Sequence, residues 1–269
     1  MSASAPVCSL HRGSTALLVS LPHCGTEIPP ELQARLVPRA QAVEDTDWHV
    51  AELYAFAREL GASMLMPRFS RYVIDLNRPP DDARMYTGVN GTGLCPERFF
   101  SGDLLYRAGQ APDAAEMAQR LRMYWHPYHD ALCDELTRLK NAHGYALLLD
   151  AHSIKSELPW LFAGQLPDLN LGTVDGTSCA PALRTALQHV FEAQRNFTHV
   201  ADGRFKGGYI VRKYGRPQER VHAVQLEMCW SCYMPEAPPF RLDPARSMRL
   251  APLLQSLVQG LLDWRLPDE

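Results

Sequence analysis

Short apolar runs alternate along this chain with longer stretches whose apolar positions recur every three or four residues. The runs Ala16–Ser20, Ser63–Pro67, Tyr72–Leu76, Tyr145–Asp150, Trp160–Phe162, Tyr209–Lys213 and Val221–Met228 predict strands. The longer stretches Trp48–Leu60, Ala114–Trp125, Pro127–Ala142, Pro181–Ala193 and Pro244–Trp264 predict helices. In the second of these, Met117, Leu121 and Trp125 fall on one face. In the third, Pro127 sits in the first turn, Leu132, Leu136 and Leu139 form the stripe, and Gly144 offers a stop. Alternation of strands with helices predicts an α/β fold, a mainly parallel or mixed sheet covered by helices. No repeat, low-complexity tract or Gly/Ser linker divides residues 1–269, so one domain is expected.

Composition narrows the class. Lys and Arg number 27 against 30 Asp and Glu, and no basic block stands out, which argues against nucleic acid or an anionic membrane surface as partner. No run approaches the roughly 18 apolar residues of a membrane span, and Ala16–Val19 is too short for the core of a signal peptide. The 7 cysteines are odd in number and scattered, as expected of reduced thiols in a cytoplasmic protein.

Three polar clusters interrupt the apolar pattern. His23 follows the first strand in LLVSLPHCGTEIP, Asp45, Asp47 and His49 open a helix in EDTDWHV, and Asp150 and His152 end the strand in YALLLDAHSIKS. Ligands of open α/β sheets bind beyond the carboxyl ends of strands, and two histidines with one carboxylate leave Zn²⁺ a position for water. Asp47 is the favoured carboxylate, with Asp45 and Asp150 as competitors. Asp150, two residues from His152, points to the same side of an extended chain and could instead orient an imidazole. Asp45 and Asp47 are equally read as helix caps. His126 and His129 in WHPYHD have metal-compatible spacing, but a helix start packed beneath the site explains them as well.

Glu227 lies inside the apolar strand AVQLEMCW, where a carboxylate needs a partner or a task, such as general base beside a metal-bound water. A buried salt bridge is the plainer alternative. Cys229 and Cys232 form a C-x-x-C late in the chain, without a second pair to complete a zinc site; a continuing strand would turn them to opposite faces. Arg71, Asp75, Asn77 and Arg78 in SRYVIDLNRPP, and Lys206, Gly207, Gly208, Tyr209 and Arg212 in FKGGYIVRKYG, form a basic group suited to an acidic small molecule. Gly207-Gly208 would let the backbone approach a ligand.

Together SLPHCGTEIP, DTDWHVAELY, SRYVIDLNRPPD, YWHPYHDAL, LLLDAHSIKS, LPDLNLGTVDGTSC, FKGGYIVRKYG and HAVQLEMCWSCYMPE closely resemble, in this order, the N-formylglutamate amidohydrolase family, over about Leu17 to Phe240. The resemblance implies a three-layer α/β/α sandwich with a mixed, mainly parallel central sheet, like that of the zinc carboxypeptidases and aspartoacylases. It also implies Zn²⁺-dependent hydrolysis of N-formyl-L-glutamate to formate and L-glutamate, a terminal step of histidine degradation. By position, His23, Asp47 and His152 resemble the metal ligands, Glu227 the catalytic carboxylate, and Arg71 the arginine near the scissile carbonyl. Asn77 and Arg78 resemble the clamp for a substrate carboxylate. Two rivals remain at this level: a zinc-dependent deacylase or carboxypeptidase-like hydrolase for another N-acyl acidic amino acid, and a non-catalytic binding protein for acidic amino acids. A serine amidase is disfavoured, because Ser153 beside His152 lacks flanking glycines. The sequence does not show an oligomeric state.

Overall fold

Three central strands, β2 (Leu17–Ser20), β4 (Ala146–Ile154) and β7 (Val221–Cys229), are buried along their whole length, as parallel strands covered on both faces must be. The computed structural model describes residues 6–85 and 90–266; the one-domain reading over 1–269 also takes in positions outside them. With β1 (Cys8–His11), β3 (Ser63–Pro67), β5 (Leu169–Gly172) and β6 (His199–Ala201), these strands form a seven-stranded sheet of order β1-β3-β2-β4-β7-β5-β6. The pairs β2–β3, β2–β4, β4–β7 and β5–β6 are parallel, whereas β1–β3 and β5–β7 are antiparallel. The sheet is mixed and mainly parallel, as expected.

The helices are α1 (Pro30–Gln33), α2 (Val50–Leu53), α3 (Phe56–Glu59), α4 (Ala114–Arg120), α5 (His126–His143), α6 (Pro181–Glu192), α7 (Tyr209–Tyr214) and α8 (Pro244–Asp263). They make two outer layers. Leu17, Val19, Leu147, Leu149, Val224 and Leu226 share a core with α2, α3, α6 and α8. Leu18, Leu148, Val221 and Ala223 share another with α5 and α7. The period of two along each strand thus sorts alternate residues to opposite layers.

Several sequence expectations change. Trp48–Leu60 is broken into α2 and α3 rather than continuous. A π-helical turn at Leu121–Trp125 fuses α4 to α5, and Gly144 closes α5 at φ +81°, where a side chain would be strained. Tyr72–Leu76 and Trp160–Phe162 are irregular, not strands. In the first, loop partners replace a ladder: the Asp75 amide donates to the Leu94 carbonyl and the Asn77 amide to Asp75 Oδ1. Tyr209–Lys213 is helical, because Ile210 and Val211 are neighbours that both bury against the α5 layer. Strands β1, β5 and β6, each of three or four residues, were not foreseen. They are too short to show a period.

Candidate metal centre and cavity

On the α5 side of the sheet the alternation continues past the apolar core into polar residues. Leu148 is followed by Asp150 and His152, Ala223 by Gln225 and Glu227, and Leu18 by Ser20. Cross-strand register places Ser20 opposite Asp150, Asp150 opposite Gln225, and His152 opposite Glu227. These positions lie at the carboxyl ends of parallel strands, where side chains of adjacent strands converge. Strand β4 runs to Ile154, so His152 belongs to the strand rather than following it.

His23 reaches the same place from the loop after β2, and Asp47 from the loop before α2; the Asp47 amide donates to the His23 carbonyl at 3.1 Å and ties the two loops together. The ligand atoms of His23, Asp47 and His152 all lie within 4.8 Å of one another, and all three residues are buried. Nδ1 of His152 stands 3.1 Å from Asp47 Oδ2, and Nδ1 of His23 stands 3.8 Å from the same oxygen. Each ring turns its other nitrogen to a carboxylate: His23 Nε2 lies 2.7 Å from Asp75 Oδ1, and His152 Nε2 lies 2.8 Å from Asp150 Oδ2. Two imidazoles braced at Nε2, with both Nδ1 atoms turned towards one carboxylate, match the way proteins orient histidine ligands. The donor set of two nitrogens and one oxygen suits Zn²⁺.

Among the three competing carboxylates, Asp47 alone shares this cluster. Asp45 accepts hydrogen bonds from Tyr72 Oη (2.9 Å) and the Phe100 amide (3.0 Å), and burial pushes its carboxyl up to about 6. Asp150 sits behind His152, accepting from Ser20 Oγ (3.0 Å) and Asn77 Nδ2 (3.0 Å).

Electrostatics differ between the two rings. Burial and the nearby Arg71 lower the proton affinity of His23, which favours the neutral ring. At His152 burial acts the same way, but Asp150 and Asp47 outweigh it and raise the affinity well above the ordinary value. Asp75 is held well below the carboxylate range, because Arg71 and His23 overcome the burial that would raise it. Glu227 is pushed up to about 8 by burial, with His152 pulling the other way. Gln225 Nε2 donates to Glu227 Oε2 at 3.2 Å and accepts the Gly208 amide at its Oε1 (2.7 Å).

The cluster lies in a cavity of about 420 Å³ that Glu227, Arg71, Arg78, Arg204 and Gly208 also line. Arg71 is clamped: Nη2 donates to Asp75 Oδ2 at 2.6 Å, and the guanidinium carbon sits 4.5 Å from the centre of the Phe100 ring. Its Nε is buried without a hydrogen-bond partner among the described residues, as is Thr92 Oγ1 on the same cavity. Buried donors without acceptors are costly, so these two are suited to a ligand rich in oxygen.

Comparison with known proteins places the chain in a family. The family model for N-formylglutamate amidohydrolase matches residues 15–234. The chain belongs to the N-formylglutamate amidohydrolase family. A Pseudomonas aeruginosa protein named N-formylglutamate deformylase is 51% identical over 260 residues, covering 96% of this chain and 97% of the relative. A protein of the same name from Pseudomonas putida is 47% identical over 258 residues, covering 96% of each. The crystal structure of N-formylglutamate amidohydrolase from Ralstonia eutropha JMP134 has a TM-score of 0.79 at 24% identity, covering 96% of both chains. At that identity it speaks for the family's fold alone.

Some residues foreseen as part of the site are not among the described residues that line this cavity. Tyr209 and Arg212, expected to bind substrate, do not line the cavity. Gly208 begins α7, so the side chains after it turn around a helix; Tyr209 packs 5.8 Å from the Trp125 ring, and Arg212 Nε donates to the Gly207 carbonyl. Lys206 is half-buried and pairs with Asp175 at 2.9 Å. Asn77 does line the cavity, but its amide also scaffolds it: Nδ2 donates to Asp150 and Oδ1 accepts the Ile210 amide. A Cβ on Gly208 would stand 2.3 Å from Asn77 Nδ2, so this close approach requires glycine. His126 is exposed and His129 buried, so the pair holds no metal together. The strand ends at Cys229, and a 3₁₀ turn at Trp230–Cys232 brings both thiols onto one segment instead of opposite faces: Cys229 meets the Pro167 carbonyl at 3.3 Å and Cys232 the Asp168 carbonyl at 3.6 Å. Burial pushes both thiols up, away from the reactive thiolate.

Gln225 and Arg204 are among the cavity residues that escaped the sequence reading. Gln225 could have been found, since it lies two positions before Glu227 on the same strand face. Arg204 carries no local signal; only the fold of the loop before α7 brings it to the cavity.

Proposed function

We propose that the chain hydrolyses N-formyl-L-glutamate to formate and L-glutamate, using a divalent metal, Zn²⁺ by its donor set, held by His23, Asp47 and His152. The observation that carries this reading is the convergence of both Nδ1 atoms on Asp47 beside Glu227, in a cavity edged with guanidinium groups. The names of the Pseudomonas relatives support the choice of substrate. A metal held there would supply Lewis-acid polarisation of the formyl oxygen and a water acidified towards neutral pH.

The chain's own residues do the rest. Glu227, buried opposite His152, accepts in its ionised form the proton of the attacking water and passes it to the departing amine. Its partner Gln225 fixes the carboxylate plane. Arg71 offers a buried cation and a vacant Nε donor to the charge that develops on the formyl oxygen. Arg78, 4.0 Å from Asp75 at its Nε, is placed to take the α-carboxylate, next to the metal cluster. Gly208, on the cavity, lets Asn77 pack against the backbone and so holds that amide in place. We place the reaction in the cytoplasm, where the free thiols stay reduced.

The test is metal content together with formate release from N-formyl-L-glutamate. Chelation should abolish turnover and Zn²⁺ should restore it; full activity in metal-free protein would overturn the metal reading. N-acetyl-L-glutamate should react more slowly, and faster turnover of it would reassign the acyl preference.

A further inference from the structure

The cavity brings together guanidinium groups from distant segments, and they are not equivalent. Arg71 is held by carboxylates, bound to Asp75 at 2.6 Å and lying 3.8 Å from Asp47, next to the metal cluster. Arg78 Nε lies 4.0 Å from the same Asp75, and Arg84, also on the cavity, is exposed. Arg204 comes from the loop between β6 and α7. Its Nη2 donates to the Leu161 carbonyl at 3.3 Å, and its guanidinium carbon lies 5.3 Å from the centre of the Phe205 ring. Leu161 and Phe205 line the cavity with it. A half-buried guanidinium braced by a carbonyl and a ring loses little freedom when it binds a carboxylate, and its planar fork matches one.

We propose that Arg204 recognises the side-chain carboxylate of the substrate and sets the preference for acidic over neutral N-formyl amino acids, a proposal that rests on the hydrolytic reading above. The chemistry of a dicarboxylate divides the work. The α-carboxylate sits on the carbon that bears the scissile nitrogen, so it stays close to the metal cluster, where Arg78 adjoins Asp75. The side-chain carboxylate lies two methylene groups further out and needs a second cation on another wall. Arg204 is that cation: it enters the cavity from the loop between β6 and α7, beside Leu161 and Phe205. The aliphatic and aromatic surfaces of Leu161 and Phe205 suit the methylenes that precede the carboxylate.

The experiment compares N-formyl-L-glutamate with its neutral isostere N-formyl-L-glutamine in the Zn²⁺-loaded wild type, Arg204→Met, Arg204→Lys and Lys206→Met. Formate release and calorimetric binding of L-glutamate and L-glutamine are both measured. Arg204→Met should lose about 100-fold in kcat/KM on the glutamate substrate, mostly through KM, and change less than about threefold on the glutamine substrate. Arg204→Lys should recover part of the loss, and Lys206→Met, whose side chain is paired outside the cavity, should change neither. Equal losses on both substrates, or an unchanged ratio between them, would overturn the proposal. If the wild type binds glutamate without releasing formate, the hydrolytic reading fails; the glutamate-to-glutamine binding ratio in Arg204→Met still decides the role of Arg204.

Discussion

His129 and His152 are both buried histidines on the same side of the sheet, and they have opposite fates. His129 is satisfied by neutral partners: its Nε2 meets the Leu76 carbonyl at 2.9 Å, its Nδ1 meets Tyr214 Oη at 2.9 Å, and its ring stacks 3.7 Å from Trp125. Burial therefore pushes its value down to about 4, and it stays a neutral strut. His152 meets a carboxylate at each nitrogen, one shared with a second histidine. A buried imidazole whose two nitrogens find neutral partners belongs to the architecture; one turned towards a shared carboxylate has capacity left for a ligand.

Breaking the second arrangement should have the largest effect. Asp47→Ala should abolish both stoichiometric Zn²⁺ binding and formate release, as read by elemental analysis of dialysed protein; retained zinc would remove Asp47 from the ligand set. Glu227→Gln should keep the zinc and lose about 100- to 10,000-fold in kcat, the range for a general acid–base group. Normal turnover in that variant would assign proton transfer elsewhere. Asp150→Asn keeps a polar partner for His152 but removes its charge, and should weaken zinc binding about 10- to 100-fold in a chelator competition. Unchanged affinity would make Asp150 a packing residue only.

The smallest effect concerns His129. Its folded value of about 4 lies below the 6.5 of an exposed histidine, so on acidification the unfolded chain takes up the proton first. Its contribution is fully present above pH 6.5, falls between about 6.5 and 4, and then levels off, a loss of about 3 kcal/mol. His222, also lowered to about 4 by burial, acts in the same window. Urea unfolding of wild type and His129→Gln across that range should show the difference in stability shrinking towards acid, with little change in kcat at pH 7. A difference independent of pH would contradict the neutral strut.

The same contrast separates what the sequence showed from what it hid. Long elements with a clear period were legible: β3 has the expected limits, and α6 and α8 each stop one residue short of them. Asp150, His152 and Glu227 stood out because charge inside an apolar strand is costly, and the strands carry them to one place. The choice among Asp45, Asp47 and Asp150 was not legible, since it depends on where a loop folds back against β4. Tyr209 and Arg212 fall outside the cavity lining because Tyr209–Lys213, expected as a strand, belongs to a short helix. Arg204 was hidden for the converse reason: an arginine in an irregular loop has no period to betray it.

The nine-residue parallel register between β4 and β7 sets His152 opposite Glu227 by main-chain hydrogen bonds, whereas Thr92, Leu161, Arg204 and Phe205 reach the cavity from loops. In the proposed reading, the pair His152 and Glu227 is fixed by the sheet, while the groups proposed to choose the substrate come from loops. If those roles hold, loop substitutions would retune which acyl amino acid is taken while His152 and Glu227 keep their spacing, a scaffold evolvable in specificity and conservative in reaction.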